Sequence, residues 1–94
     1  MSNLELFLRW WVEYQPVGLH DHVPNKDLYD DYIRWAKYMP NMKHADNIIT
    51  FSSMLKNLNI EGFTYHNKQG HTGASVSIDI AKLLPQLPRK YFEL

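Results

Sequence analysis

Thr50-Phe51-Ser52-Ser53-Met54-Leu55-Lys56-Asn57-Leu58-Asn59-Ile60-Glu61-Gly62 runs directly into Phe63-Thr64-Tyr65-His66, and one polar turn later comes Ala74-Ser75-Val76-Ser77-Ile78-Asp79-Ile80. Phe51, Met54, Leu55 and Leu58 recur at i, i+3, i+4 and i+7, which places four apolar side chains on one helical stripe facing a core. The opposite face carries Ser52, Ser53, Lys56, Asn57 and Asn59, whose hydroxyl, ammonium and amide groups can hydrogen-bond to phosphates or base edges. Gly62 takes a left-handed backbone at no steric cost, so the helix is expected to stop there. In the two segments beyond it apolar and polar residues alternate with a period of two, the signature of a half-buried hairpin. Asn67-Lys68-Gln69-Gly70-His71-Thr72-Gly73 forms the polar tip between them.

Outward from this unit, the N-terminal segment has Ser2 and Glu5 at capping-box spacing, which starts a helix expected over about residues 3–14. Glu5, Arg9 and Glu13 make one polar line, while Leu4, Phe7, Leu8, Trp11 and Tyr14 cluster on the far side. Leu6, Trp10 and Val12 border the polar line. The apolar arc is wider than one core contact needs, which leaves two readings: a deeply buried helix, or an apolar patch for a partner. Trp11 is expected in the core.

Gln15 to Val23 contains Pro16, Gly18 and His20-Asp21-His22 and reads as a loop. A second helix is expected over about 25–39, with Asn25 as N-cap and Asp27, Asp30 and Asp31 near its positive end. Asp30 and Arg34 have the i, i+4 spacing of a surface pair. Leu28, Tyr29, Tyr32, Ile33, Trp35, Ala36 and Met39 make the apolar side, and Pro40 forbids continuation. Ile48-Ile49 fits either a short strand or the start of the third helix, capped by Asp46 or Thr50 and running over about 47–60. After the hairpin, expected at about 63–66 and 74–80, Ala81 to Leu84 fits one helical turn, and Pro85 and Pro88 make the tail 85–94 irregular. Three helices and a long-tipped hairpin spell a single α+β domain of the winged helix-turn-helix class.

Composition narrows the function. Ten Lys and Arg balance ten Asp and Glu, so the overall basic excess usual for proteins that coat nucleic acid is missing. The balance is uneven: residues 1–47 hold five basic against seven acidic side chains, and residues 48–94 five against three. Thirteen aromatics supply a core, and with no cysteine the chain holds neither disulfide nor thiolate metal site. The N-terminus lacks the pattern of a signal peptide and no stretch is long enough to span a bilayer, so a cytoplasmic protein without membrane contact is expected.

Leu28-Tyr29-Asp30-Asp31-Tyr32-Ile33-Arg34-Trp35, then Phe51 to Leu58, then Glu61-Gly62-Phe63, resembles the C-terminal winged-helix domain of viral and phage-type primase-helicases. In that family a Leu-Tyr-x-x-Tyr-x-x-Trp helix precedes a Phe-x-x-x-Leu recognition helix and a Gly-aromatic strand. The resemblance covers about residues 24–80. It implies a role in replication of phages, viruses or mobile elements, as a DNA-binding tail or a small accessory subunit that meets a polymerase, primase or helicase. Where the family's helix and wing are rich in Arg and Lys, this chain offers Lys56 and Lys68, so autonomous DNA binding is expected to be weak.

In this reading Ser52, Ser53, Lys56, Asn57 and Asn59 enter or flank the major groove, and His66, Lys68 and His71 of the wing meet the adjacent backbone. A protein partner is expected at Leu6, Trp10 and Trp35, since aromatic side chains dominate interface energetics. A sequence-specific transcriptional regulator is the alternative role on the same fold. No nucleophile elbow or phosphate-cradling loop is present, and Gly70-His71-Thr72-Gly73 lacks the lysine and following helix that such a loop requires, so no catalysis and no cofactor are expected. His20-Asp21-His22, with His44 as a remote third, lacks zinc spacing and reads as a solvated loop, so no metal is expected.

Overall fold

The structure, a computed structural model, describes residues 3–15, 18–39, 46–67 and 73–88. Along the chain run α1 (Asn3–Glu13), β1 (Leu19–Pro24), α2 (Asn25–Ala36), α3 (Ile48–Asn57), β2 (Phe63–His66), β3 (Ser75–Asp79) and α4 (Ile80–Leu83), followed by a 3-10 turn at Leu84–Gln86. The result is a mixed α+β domain with one antiparallel sheet in the order β1-β3-β2.

α1 buries Leu4, Phe7, Leu8 and Trp11 as its periodicity predicts, and Val12 with them, while Arg9 and Glu13 of the polar line form an ion pair at 3.3 Å. Tyr14 falls beyond the last turn and is 65% exposed, contrary to its expected place on the apolar side. Ser2, of the expected capping box, lies outside the described residues.

β1 corrects the loop reading of residues 15–23. Leu19 and His20 pair with Asp79 and Ile78, and Val23 and Pro24 pair with Val76 and Ser75, with a register slip between the two pairs. α2 begins at Asn25 itself, with Pro24 as N-cap, so Asn25 is not the cap the sequence suggested; it is buried instead. Proline suits the position because its missing N–H is one the helix would leave unpaired. The helix ends at Ala36, ahead of Met39, and Arg34 pairs with Asp31 at 3.2 Å rather than with Asp30.

Of the two possibilities for Ile48-Ile49, the helical one holds. The cap is neither Asp46 nor Thr50: Asn47 accepts the Thr50 N–H at 2.8 Å. α3 ends at Asn57 with Leu58 already extended, so Gly62 does not terminate it. Gly62 does adopt the left-handed backbone, at φ +88, but in the turn that enters β2. Its carbonyl accepts the Asp79 N–H at 2.8 Å, and a Cβ there would meet Leu83 N at 2.7 Å and Asp79 O at 2.9 Å.

The core is aromatic. Phe7 of α1 packs edge-on to Tyr32 at 5.3 Å, against Trp35 at 5.8 Å and edge-on to Phe51 of α3 at 6.1 Å. Trp35, expected at a partner surface, is 1% exposed and belongs to this core, so its indole offers no docking area. Its Nε1 is buried without a hydrogen-bond partner among the described residues, a cost the packing offsets. Val76 and Ile78 of β3, Phe63 of β2 and Leu83 of α4 close the other side. No helix among the described residues is long and apolar enough to cross a membrane.

Asp46 anchors the start of α3 to α2. Its carboxylate accepts the Tyr32 hydroxyl at 2.8 Å and its backbone carbonyl accepts the Tyr29 hydroxyl at 2.9 Å. Burial, and then the neighbouring Asp46 carboxylate, push the Tyr32 phenol well above its usual range.

Gly62→Ala should destabilise the protein by about 1–3 kcal/mol in urea unfolding, through backbone strain and collision with Leu83 and Asp79. Gly73→Ala, whose Cβ meets nothing within 4 Å, should be close to neutral. For Tyr32, the folded state holds its proton at a pH where the unfolded phenol, near its ordinary value of 10, gives it up. Stability from this group is therefore complete below pH about 10 and falls above it, by up to about 1.4 kcal/mol per pH unit. Unfolding titrations from pH 8 to 11 on the protein and on Tyr32→Phe should differ in that slope.

Candidate nucleic-acid interface

Phe51 and Leu55 are fully buried and fix the rotation of α3, which turns Ser53, Lys56 and Asn57 to solvent. Ile49, Ser53 and Asn57 stand at i, i+4 and i+8 and make one row, with Lys56 beside it. Ile49, at the head of the row, is 79% exposed. Along one edge of the row Leu4 of α1, Met54 and Leu58 line an open groove of about 530 Å³ with Ile49, Ser53 and Asn57. The surface is thus polar along its crest and apolar along one flank.

Ser52 does not belong to it. It is half-buried, and its Oγ accepts a hydrogen bond from Asn25 Nδ2 at 3.3 Å; the same nitrogen donates to the Tyr65 hydroxyl at 3.4 Å. Asn25 is 6% exposed and its Oδ1 has no partner among the described residues. Asn25 of α2 thus bridges Ser52 of α3 and Tyr65 of β2, and Ser52, expected at the nucleic acid, is engaged in this contact. Asn59 is exposed but follows the end of α3, so helical spacing no longer aligns it with the row.

His66 parts from α3 as well. Tyr65 turns toward Asn25 and Ser52, and by the alternation of a strand His66 turns to the opposite, solvent face of the sheet. There its Nε2 lies 2.8 Å from Ser77 Oγ and its ring 4.3 Å from that of His22. Lys68 and His71 lie outside the described residues, as do His44 and the C-terminal tail from residue 89.

Of the expected partner residues, Leu6 and Trp10 are half-buried against the core. Trp10 packs between Phe7 at 6.1 Å and exposed Tyr14 at 5.2 Å. Beside them Trp10, Trp11, Tyr14, Gln15, Asp31 and Arg34 line a depression of about 250 Å³. The Asp31 carboxylate organises its floor: one oxygen accepts the Trp11 indole N–H at 3.1 Å, the other the Arg34 guanidinium at 3.2 Å.

The sequence casts Asn25 as a helix cap, Tyr14 on the apolar side of α1 and His22 in a solvated loop, so none of the three is singled out for a site. The burial of Asn25 leaves no trace in a polar helix start. His22 did carry a signal, in His20-Asp21-His22, but the triplet is divided: the His20 ring packs edge-on to Trp11 at 5.5 Å, and His22 points to solvent. Comparison with family models, with curated proteins and with solved structures gives no match for the chain.

Ser52→Ala should cost about 0.5–1.5 kcal/mol in urea unfolding by removing an acceptor from the buried Asn25 amide. Lys56→Ala, at a solvated position, should change stability by no more than about 0.5 kcal/mol.

Proposed function

We propose that this chain is a non-catalytic winged-helix accessory protein of a phage or mobile-element DNA replication module, which binds DNA weakly through α3 and docks on a larger polymerase, primase or helicase. The observation that carries the reading is topological: the order α1-β1-α2-α3-β2-β3, with the first strand paired to the last, sets a solvent-facing helix beside a hairpin. A helix so presented can enter the major groove with a few side chains at base edges. In this role Asn57 supplies an amide suited to adenine, Ile49 an apolar contact suited to a thymine methyl, and Lys56 a cation for a phosphate. The replication setting rests on the resemblance carried by Leu28 to Trp35, Phe51 to Leu58 and Glu61 to Phe63. Docking falls to Trp10, Leu6 and exposed Tyr14, with Arg34 at the rim, a composition suited to protein interfaces.

Fluorescence anisotropy with labelled single- and double-stranded DNA tests the first half. Binding should appear at low salt and weaken with a log–log salt slope of about one to two, because few cations meet phosphate. Lys56→Ala should flatten that slope by about one. Flat titrations at low and at physiological salt would remove DNA from the proposal.

A further inference from the structure

The pairing of β1 with β3 holds an irregularity whose consequences reach beyond the sheet. Between the pairs His20 with Ile78 and Val23 with Val76, β1 has two residues, Asp21 and His22, against the single Ser77 of β3. This is a bulge, a device that re-aims a side chain. His22 sits in it at φ 51, and it alone among the described non-glycine residues has a positive φ. Its backbone N–H donates to Ser77 Oγ at 3.2 Å. The ring then leans over β3, and the His66 ring leans toward it from β2, so that two imidazoles from non-adjacent strands meet at 4.3 Å with planes 32° apart.

Each ring is held by one nitrogen. His22 Nδ1 lies 3.3 Å from Ser75 Oγ, and His66 Nε2 lies 2.8 Å from Ser77 Oγ. Where the hydroxyl accepts the ring N–H, the other nitrogen of each ring, Nε2 of His22 and Nδ1 of His66, carries the lone pair. A neutral imidazole oriented by a hydrogen bond at its far nitrogen is the state in which histidine ligates a metal. We propose that His22 and His66 form a two-imidazole site for a borderline first-row divalent cation of the zinc, nickel or copper class.

Nitrogen donors select these ions over magnesium and calcium, which take oxygen ligands. Among the described residues no group of three or more His, Asp or Glu is gathered, so these residues supply two ligands to the proposed site. Such a site is shallow and exchangeable. It differs from the His20-Asp21-His22 grouping, because His20 packs on Trp11.

Zinc chloride titrated into the full chain, followed by long-range nitrogen spectra of the histidine rings and by calorimetry, tests the proposal. Zinc should move the resonances of His22 Nε2 and His66 Nδ1. His22→Gly, which suits the left-handed backbone, and His66→Phe should each lower affinity by at least about tenfold, and Ser75→Ala by about 10–100-fold through loss of orientation. Copper should bind more tightly than nickel, and nickel than cobalt, while magnesium should leave the spectra unchanged. A double variant His44→Asn/His71→Asn should keep zinc affinity. The proposal is overturned if millimolar zinc leaves both rings unmoved, or if a folded His22→Gly/His66→Phe variant binds zinc as tightly as the parent.

Discussion

β3 is hydrogen-bonded on both sides, and this double pairing gives every one of its residues a fixed direction. Val76 and Ile78 are sealed into the core, while Ser75 and Ser77 turn to the other face and meet the two histidines. A slip of one residue would drive both serines into the aromatic core and expose the two aliphatic side chains, so the register is strongly specified. Three further segments are moored at the ends of this strand. The Asn25 N–H binds the Ala74 carbonyl at its start, and at its finish Asp79 binds the Gly62 carbonyl and Ile80 the Gly18 carbonyl. The start of α2, the turn into β2 and the start of β1 are thus all placed by β3 and its flanking residues.

What β3 does for the sheet, the aromatic layer does for α3. Phe51 lies 4.6 Å from Tyr32 and packs on Phe7 and Tyr29, so the helix cannot roll without breaking several ring contacts at once. Close-packed aromatic contacts are steeply distance-dependent, and that rigidity carries through to the far side of the same helix, where Ser53, Lys56 and Asn57 stand. The Tyr32 hydroxyl bound to Asp46 fixes the residues that lead into the same helix.

The three main helices and the hairpin were legible because each has one buried stripe or face, and burial imposes a period of 3.6 or 2 that survives in the sequence. β1 was not. In Leu19-His20-Asp21-His22-Val23, the bulge sets two outward residues in succession, so alternation fails at the point where it was needed, and the flanking Gly18 and Pro24 read as loop chemistry. Trp35 was misplaced for the opposite reason: periodicity put it on the apolar side of its helix, but a wide apolar arc does not say which aromatic reaches the centre. Of the α3 candidates, Ser53, Lys56 and Asn57 were correctly expected on the solvent side of the helix from its spacing. Ser52 was not, because its partner Asn25 lies 27 residues away and no local pattern encodes that contact.

The bulge performs two jobs with one extra residue. Unbroken alternation from His20 would carry His22 inward and Val23 out to solvent; the insertion returns Val23 to the core and sends His22 to the serines. Packing alone accounts for Val23 but is indifferent to what stands at the left-handed position, where glycine or asparagine would sit with less strain. A histidine there keeps the backbone bond to Ser77 that a glycine could also make, and adds a ring bond to Ser75 and a tilted ring contact with His66, two interactions a glycine would forgo. The ring is therefore positioned by more contacts than the fold requires, on the opposite face of the sheet from the Asn25, Ser52 and Tyr65 cluster. The proposed ligand contact at the histidines and the proposed nucleic-acid contact along α3 therefore draw on different side chains, and either set can be altered while the other is left in place.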